Sequence, residues 1–152
     1  MRVAPLLLAA SHKYILIQNG KTWSDAQAYC QATYIDLAII ESDEDVVQIQ
    51  NTAQRQQVSS SAWIGLYNDI KSWRWSFGNE SLGNMKKWDI SQPNNVYGNQ
   101  ECGAMSPKGW DDRHCAEGYP FVCFHGESRR TVGCMHVLRL SLNYLKVFVR
   151  KA

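Results

Sequence analysis

Ala62-Trp63-Ile64-Gly65-Leu66 is the run on which the fold of this chain turns. Its residues do not alternate between apolar and polar, so it reads as a strand buried on both faces rather than one with a wet side. Gly65 within it implies that another backbone comes too close for a side chain. Such a strand needs cover from every direction, and a chain of 152 residues, 45% of them apolar, can supply that cover within one domain.

C-terminal to this strand, residues 67–100 place Trp73, Trp75 and Trp88 among Asn, Asp, Ser, Gly and Pro93. The stretch is too polar for core strands and too aromatic for a disordered linker, so a long ordered loop is expected, and such loops are usually functional. Strand-like segments return at Cys102–Met105 and Phe121–Phe124. N-terminal to it, Tyr14–Ile17 reads as an opening strand ended by the turn dipeptide Asn19-Gly20. Thr22 caps a helix with Asp25 three residues on, and Trp23, Ala26, Cys30 and Thr33 follow at helical spacing, which buries Cys30. Ser42 caps a second helix whose first turn carries Asp43, Glu44 and Asp45, where the macrodipole favours anions, and Val46, Ile49 and Ala53 form its apolar stripe.

The five cysteines, Cys30, Cys102, Cys115, Cys123 and Cys134, fit two disulfides with one thiol left over. They do not read as zinc ligands, because His114 beside Cys115 has no second spaced pair. Spacing alone leaves several pairings open. Oxygen donors of the kind a hard cation takes recur at Gln92, Asn94, Gln100, Glu101, Asp111 and Asp112.

These features together resemble the C-type lectin-like domain family over Tyr14–Phe124. Trp63-Ile64-Gly65-Leu66 matches the family's core strand motif, Gln92-Pro93-Asn94 and Trp110-Asp111-Asp112 stand where its two calcium motifs would, and the cysteines bracket them in the family's order. The resemblance implies an α+β fold of two helices packed on small antiparallel sheets with a long ordered loop region. It implies disulfides Cys30–Cys123 and Cys102–Cys115. It further implies calcium held by Gln92, Asn94, Gln100, Glu101, Asp111 and Asp112, positioned by Trp110 and by Pro93, which in the family tends to be cis. The chain departs from the pattern in reading Gln-Pro-Asn, a hybrid of the mannose-type and galactose-type motifs. Gln100 stands where a carboxylate is usual, and Asp111 where Asn is usual, so the implied calcium site is a weakened one.

The function this implies is calcium-dependent recognition of glycans or glycoproteins, as in innate defence or cell recognition, with Tyr97, Trp73 or Trp88 available to stack on a sugar face. The alternative is a calcium-independent member of the same fold that binds a protein partner or another surface, motivated by Gln100. Enzyme chemistry is not expected. His12, His114, His125 and His136 are scattered, and adjacent Asp111 and Asp112 do not face one another across a substrate.

Residues 1–11, with Arg2 ahead of the apolar Val3–Ala10, read as a short secretory signal peptide, against the plainer reading of a truncated start or a buried first strand. The domain is expected over residues 12–125, followed by a basic tail over 126–152. From His125 onward six cations oppose Glu127, a net +5, which leaves −3 on residues 1–124. An acidic body with its basic residues outside the core argues against nucleic acid. No run of apolar residues is long enough for a transmembrane helix. Asn79-Glu80-Ser81 is an N-glycosylation sequon that agrees with secretion. Cys134, unpaired by the implied bridges, is expected to link two chains into a homodimer, the alternatives being a free thiol or an internal bridge displacing a family cysteine.

Overall fold

The computed structural model describes residues 13–69 and 72–125. The expected signal peptide, the basic tail and Cys134 lie outside the described residues. Two helices, α1 (Trp23–Thr33) and α2 (Asp43–Arg55), pack on a mixed seven-stranded sheet. Its strands are β1 (Tyr14–Lys21), β2 (Asp36–Leu37), β3 (Ala62–Asp69), β4 (Ser72–Trp75), β5 (Cys102–Ser106), β6 (Gly109–Arg113) and β7 (Tyr119–Phe124). The main order is β1-β7-β3-β5-β6, with β2 paired to β7 and β4 to β3. All pairings are antiparallel except β3 with β7, where Trp63 meets Phe121.

Strand β3 is the hub. Its first five residues are all buried, as the unbroken apolar run requires. A Cβ on Gly65 would lie 2.8 Å from Ser76 Oγ and 3.1 Å from the carbonyl oxygens of Leu37 and Ala38. The Ser76 side chain and neighbouring main chain fill that space: Gly65 N–H donates to Ala38 O at 2.8 Å, and Ser76 N–H donates to Gly65 O at 2.7 Å. The indole N–H of Trp63 donates to Lys21 O and that of Trp23 to Ile64 O, so these two rings keep their polar edges satisfied.

Both helix starts follow the sequence. Thr22 accepts from Asp25 N–H at α1, and Ser42 and Asp45 form a reciprocal capping box at α2. Asp45 also receives Glu41 N–H and pairs with Lys13 at 3.1 Å, tying α2 to the start of β1. Ala26 and Cys30 are the buried positions of α1, whereas Thr33 is exposed, so its apolar stripe is narrower than its spacing suggests.

Two local expectations are corrected. Asn19-Gly20 does not end β1: the strand passes through an irregularity after Ile17 and rejoins β7 at Lys21 opposite Tyr119, so the turn dipeptide is absorbed as a bulge. Residues 67–100 are not all loop, because β4 folds back on β3 and buries Trp75 to 2% exposure against Trp110, 5.6 Å away and edge-on. Strand β6 continues the sheet from β5 and carries Trp110 and Asp112 on its buried face.

Disulfides join Cys30 to Cys123 and Cys102 to Cys115, with sequence separations of 93 and 13 residues. Because a longer closed loop removes more unfolded-state entropy, replacing Cys30 and Cys123 together by Ala should cost about 4–5 kcal/mol and replacing Cys102 and Cys115 about 3 kcal/mol. Denaturant unfolding of the two double variants would test that order, and equal losses would contradict it.

Candidate functional site

Asp112 is 1% exposed, at the centre of the loop region. Strand alternation on β6 turns it inward, opposite Gly103 of β5, while Asp111 and Arg113 fall on the other face. Its two carboxylate oxygens are divided between consecutive backbone donors: Asn94 N–H reaches Oδ1 at 3.0 Å and Asn95 N–H reaches Oδ2 at 2.6 Å. A carboxylate accepting from main-chain N–H groups makes hydrogen bonds stronger than neutral ones. The segment just after the Gln92–Pro93 peptide, which is cis, is thereby pinned onto β6.

Beyond that pin the chain turns sharply, with Asn95 at φ 45° and Tyr97 at φ 60°, in the left-handed region that Asn tolerates better than most residues. The turn is closed by side-chain amides. Val96 N–H donates to Asn94 Oδ1 at 3.2 Å and to Gln100 Oε1 at 2.8 Å, and Gln100 N–H donates to Asn95 Oδ1 at 3.1 Å. Gln92 Oε1 is buried and has no hydrogen-bond partner among the described residues.

Of the residues expected to serve a cation, the structure brings Asn94 and Gln100 together on one short loop segment, anchors that segment to Asp112 of β6, and leaves Gln92 with an unmet acceptor. Asp111 is held by an ion pair with Arg113. Burial raises the Asp111 carboxyl above its usual range, Arg113 opposes that rise, and Asp112 and Asp89 add to it. Glu101 is exposed, and its backbone carbonyl serves Asn68 N–H. Trp110 is fully buried between Trp75 and Trp88, and its backbone exchanges hydrogen bonds with Lys87 and Asp89, so it fastens the preceding loop to β6. Trp73 and Trp88 pack on each other at 4.8 Å, half-buried, whereas Tyr97 is 95% exposed. Asn79 is exposed on the turn after β4, its Oδ1 accepting from Tyr67 O–H at 2.6 Å.

Sequence reasoning missed Asn95, whose side chain and backbone both help close the loop, and the Val96 N–H on which two amide oxygens converge. The one available signal was the doubled Asn94-Asn95 after proline, since Asn stabilises turns through its own side chain.

Among the described residues no three His, Cys, Asp or Glu side chains gather as a metal site. The donors that do gather are hard oxygens of the type calcium takes, with one carboxylate and several amide carbonyls. An amide oxygen carries two lone pairs, so Asn94 and Gln100 retain acceptor capacity beyond the Val96 N–H. The unmet Gln92 oxygen fits the same role, and the chemistry of the set suits a hard cation with fewer anionic ligands than a strong site would have.

The C-type lectin domain profile matches residues 19–125. Human asialoglycoprotein receptor 2 is 33% identical over 126 residues, covering 77% of this chain and 37% of the receptor, so the chain spans little more than a third of that relative. A lectin of Pleurodeles waltl is 34% identical, covering 72% of this chain and 67% of that protein. Among solved structures, human lithostathine superposes with a TM-score of 0.68 at 25% identity, covering 78% of this chain and 95% of its own. With the helices, the mixed sheet and both disulfides in agreement, the chain belongs to the C-type lectin domain family, a family of non-enzymatic binding proteins.

Proposed function

We propose that this protein is a lectin that recognises sugar hydroxyls through the loop of residues 92–100 and Asp112, with calcium held by Gln92, Asn94, Gln100 and Asp112. The observation that carries the reading is the convergence of amide oxygens beside a buried carboxylate, together with the unpartnered Gln92 oxygen. When bound, calcium supplies a positive centre that accepts oxygen atoms from neighbouring hydroxyls. The chain's own residues do the rest: Asp112 fixes the loop, Asn94 and Gln92 offer amides that both donate and accept, and Tyr97 presents an exposed ring beside them. Because amides impose no single donor and acceptor order, neither mannose-like nor galactose-like hydroxyl geometry is favoured.

A second reading, binding of a protein or other surface without calcium, is favoured by one observation. Gln100 is neutral, and its oxygen already closes the loop through Val96 N–H. The two disulfides suit an oxidising compartment, and no helix among the described residues is long and apolar enough to cross a membrane. The extracellular setting, occupancy of Asn79 by a glycan, the domain limits 12–125 and a role in innate defence belong to this proposal.

Calorimetric titration with calcium separates the two readings, heat of binding being expected for the first and none for the second. Gln92→Glu combined with Gln100→Glu should tighten calcium binding at least tenfold, on the order of 1.4 kcal/mol, since each change adds a full charge. Unchanged affinity would remove both side chains from the ligand set. Asp112→Ala should abolish calcium-dependent retention on immobilised glycans while both disulfides still form, and retention in chelator would place the sugar site elsewhere. For the proposed Cys134-linked dimer, non-reducing electrophoresis should show doubled mass that disappears in Cys134→Ser, whereas a monomer in both lanes would refute the link.

A further inference from the structure

A cavity of about 550 Å³ opens between the C-terminal half of α2 and the sheet, sharing no residue with the 92–100 loop or Asp112. Its size falls within the ~300–1,000 Å³ of small-molecule sites. Leu16, Ile49, Ala62, Met105 and Val122 form its buried lining, one from each of β1, α2, β3, β5 and β7. The exposed lining is of another kind: Gln50, Gln54, Gln57, Ser59 and Ser60 carry amides and hydroxyls. Among the described residues no Asp, Glu, Lys, Arg or His lines the cavity.

The wall on the α2 side is built rather than loose. Gln57 takes φ 56°, in the left-handed region, and so turns the chain back at the helix end. There Gln56 N–H donates to Thr52 O and Val58 N–H to Ala53 O. Across the gap, the Gln18 side-chain amide of β1 donates to both the backbone and side-chain oxygens of Gln56. These bonds fix the end of α2 relative to β1 and so set the position of the wall.

We infer that this cavity is a second binding site, for an uncharged single-chain amphiphile with an aliphatic body and a hydroxyl, amide or ester head. The floor takes the apolar body by burial of its surface. A charged head would meet no opposite charge among the described lining residues, and a wholly apolar molecule would leave the rim amides and hydroxyls unused.

The test uses the full chain in chelator, which silences any calcium-dependent sugar binding and keeps the outcome independent of the lectin reading. The neutral fluorophore N-phenyl-1-naphthylamine should bind saturably and be displaced by 1-decanol at a concentration about tenfold below that of decanoate. Ala53→Trp, which fills the cavity from the helix, should lower probe affinity by about tenfold or more. Val58→Trp, which fills it from the following turn, does the same should the first variant not fold. Absence of saturable uptake, equal displacement by decanoate, or uptake unchanged in a folded cavity-filling variant would overturn the assignment.

Discussion

Strand β3 has to be covered on both faces and along both edges, and most of the molecule answers that demand. Its buried run Ala62–Leu66 takes β7 and β5 as neighbours, and further on β4 folds back against Leu66. Gly65 admits the main chain of residues 38 and 76, which brings the segment before α2 and the segment after β4 against the same point. Cys30 lies on the helix that covers this hub and Cys123 on the strand beside it, so the long-range disulfide fastens elements that β3 has already gathered.

The site is built on top of that framework by a different force. Apolar packing carries β6 into the sheet through Trp110, and the next inward position on the same strand is Asp112. A buried carboxylate needs donors, and the backbone N–H groups of Asn94 and Asn95 supply them. The loop is therefore ordered by the need of one anion for partners. Its remaining amides then close on Val96 N–H. Asp111, one residue away, falls on the opposite face and is matched by Arg113. Adjacent acidic residues thus serve separate purposes for no reason other than strand alternation.

Much of this was legible in the residues. The helix caps at Thr22 and Ser42 and the buried character of β3 rest on local rules, and both hold. The disulfide pairing came through the resemblance, since spacing left it open. What resisted reading was set by tertiary context. Ser72-Trp73-Arg74-Trp75 looks polar, yet Trp75 is core because the hairpin with β3 turns it toward Trp110. Asn19-Gly20 carries a turn signature, but β7 extends far enough to take the strand past it. Within the site, Gln92, Asn94 and Asp112 stood out as oxygen donors. The roles of Asn95 and Val96 did not, since a backbone N–H leaves no mark in a sequence.

The indoles of Trp73, Trp88, Trp110 and Trp75 follow one another at 4.8, 5.9 and 5.6 Å, from the half-buried loop into the core. Rings held so close and at fixed angles couple their electronic transitions, and that coupling survives only while their relative orientation does. Near-ultraviolet dichroism, which reports fixed side-chain packing rather than helix content, therefore sees the loop and the core as one chromophore. The protein carries its own optical gauge of whether the segment bearing Trp88 is docked, with no label attached.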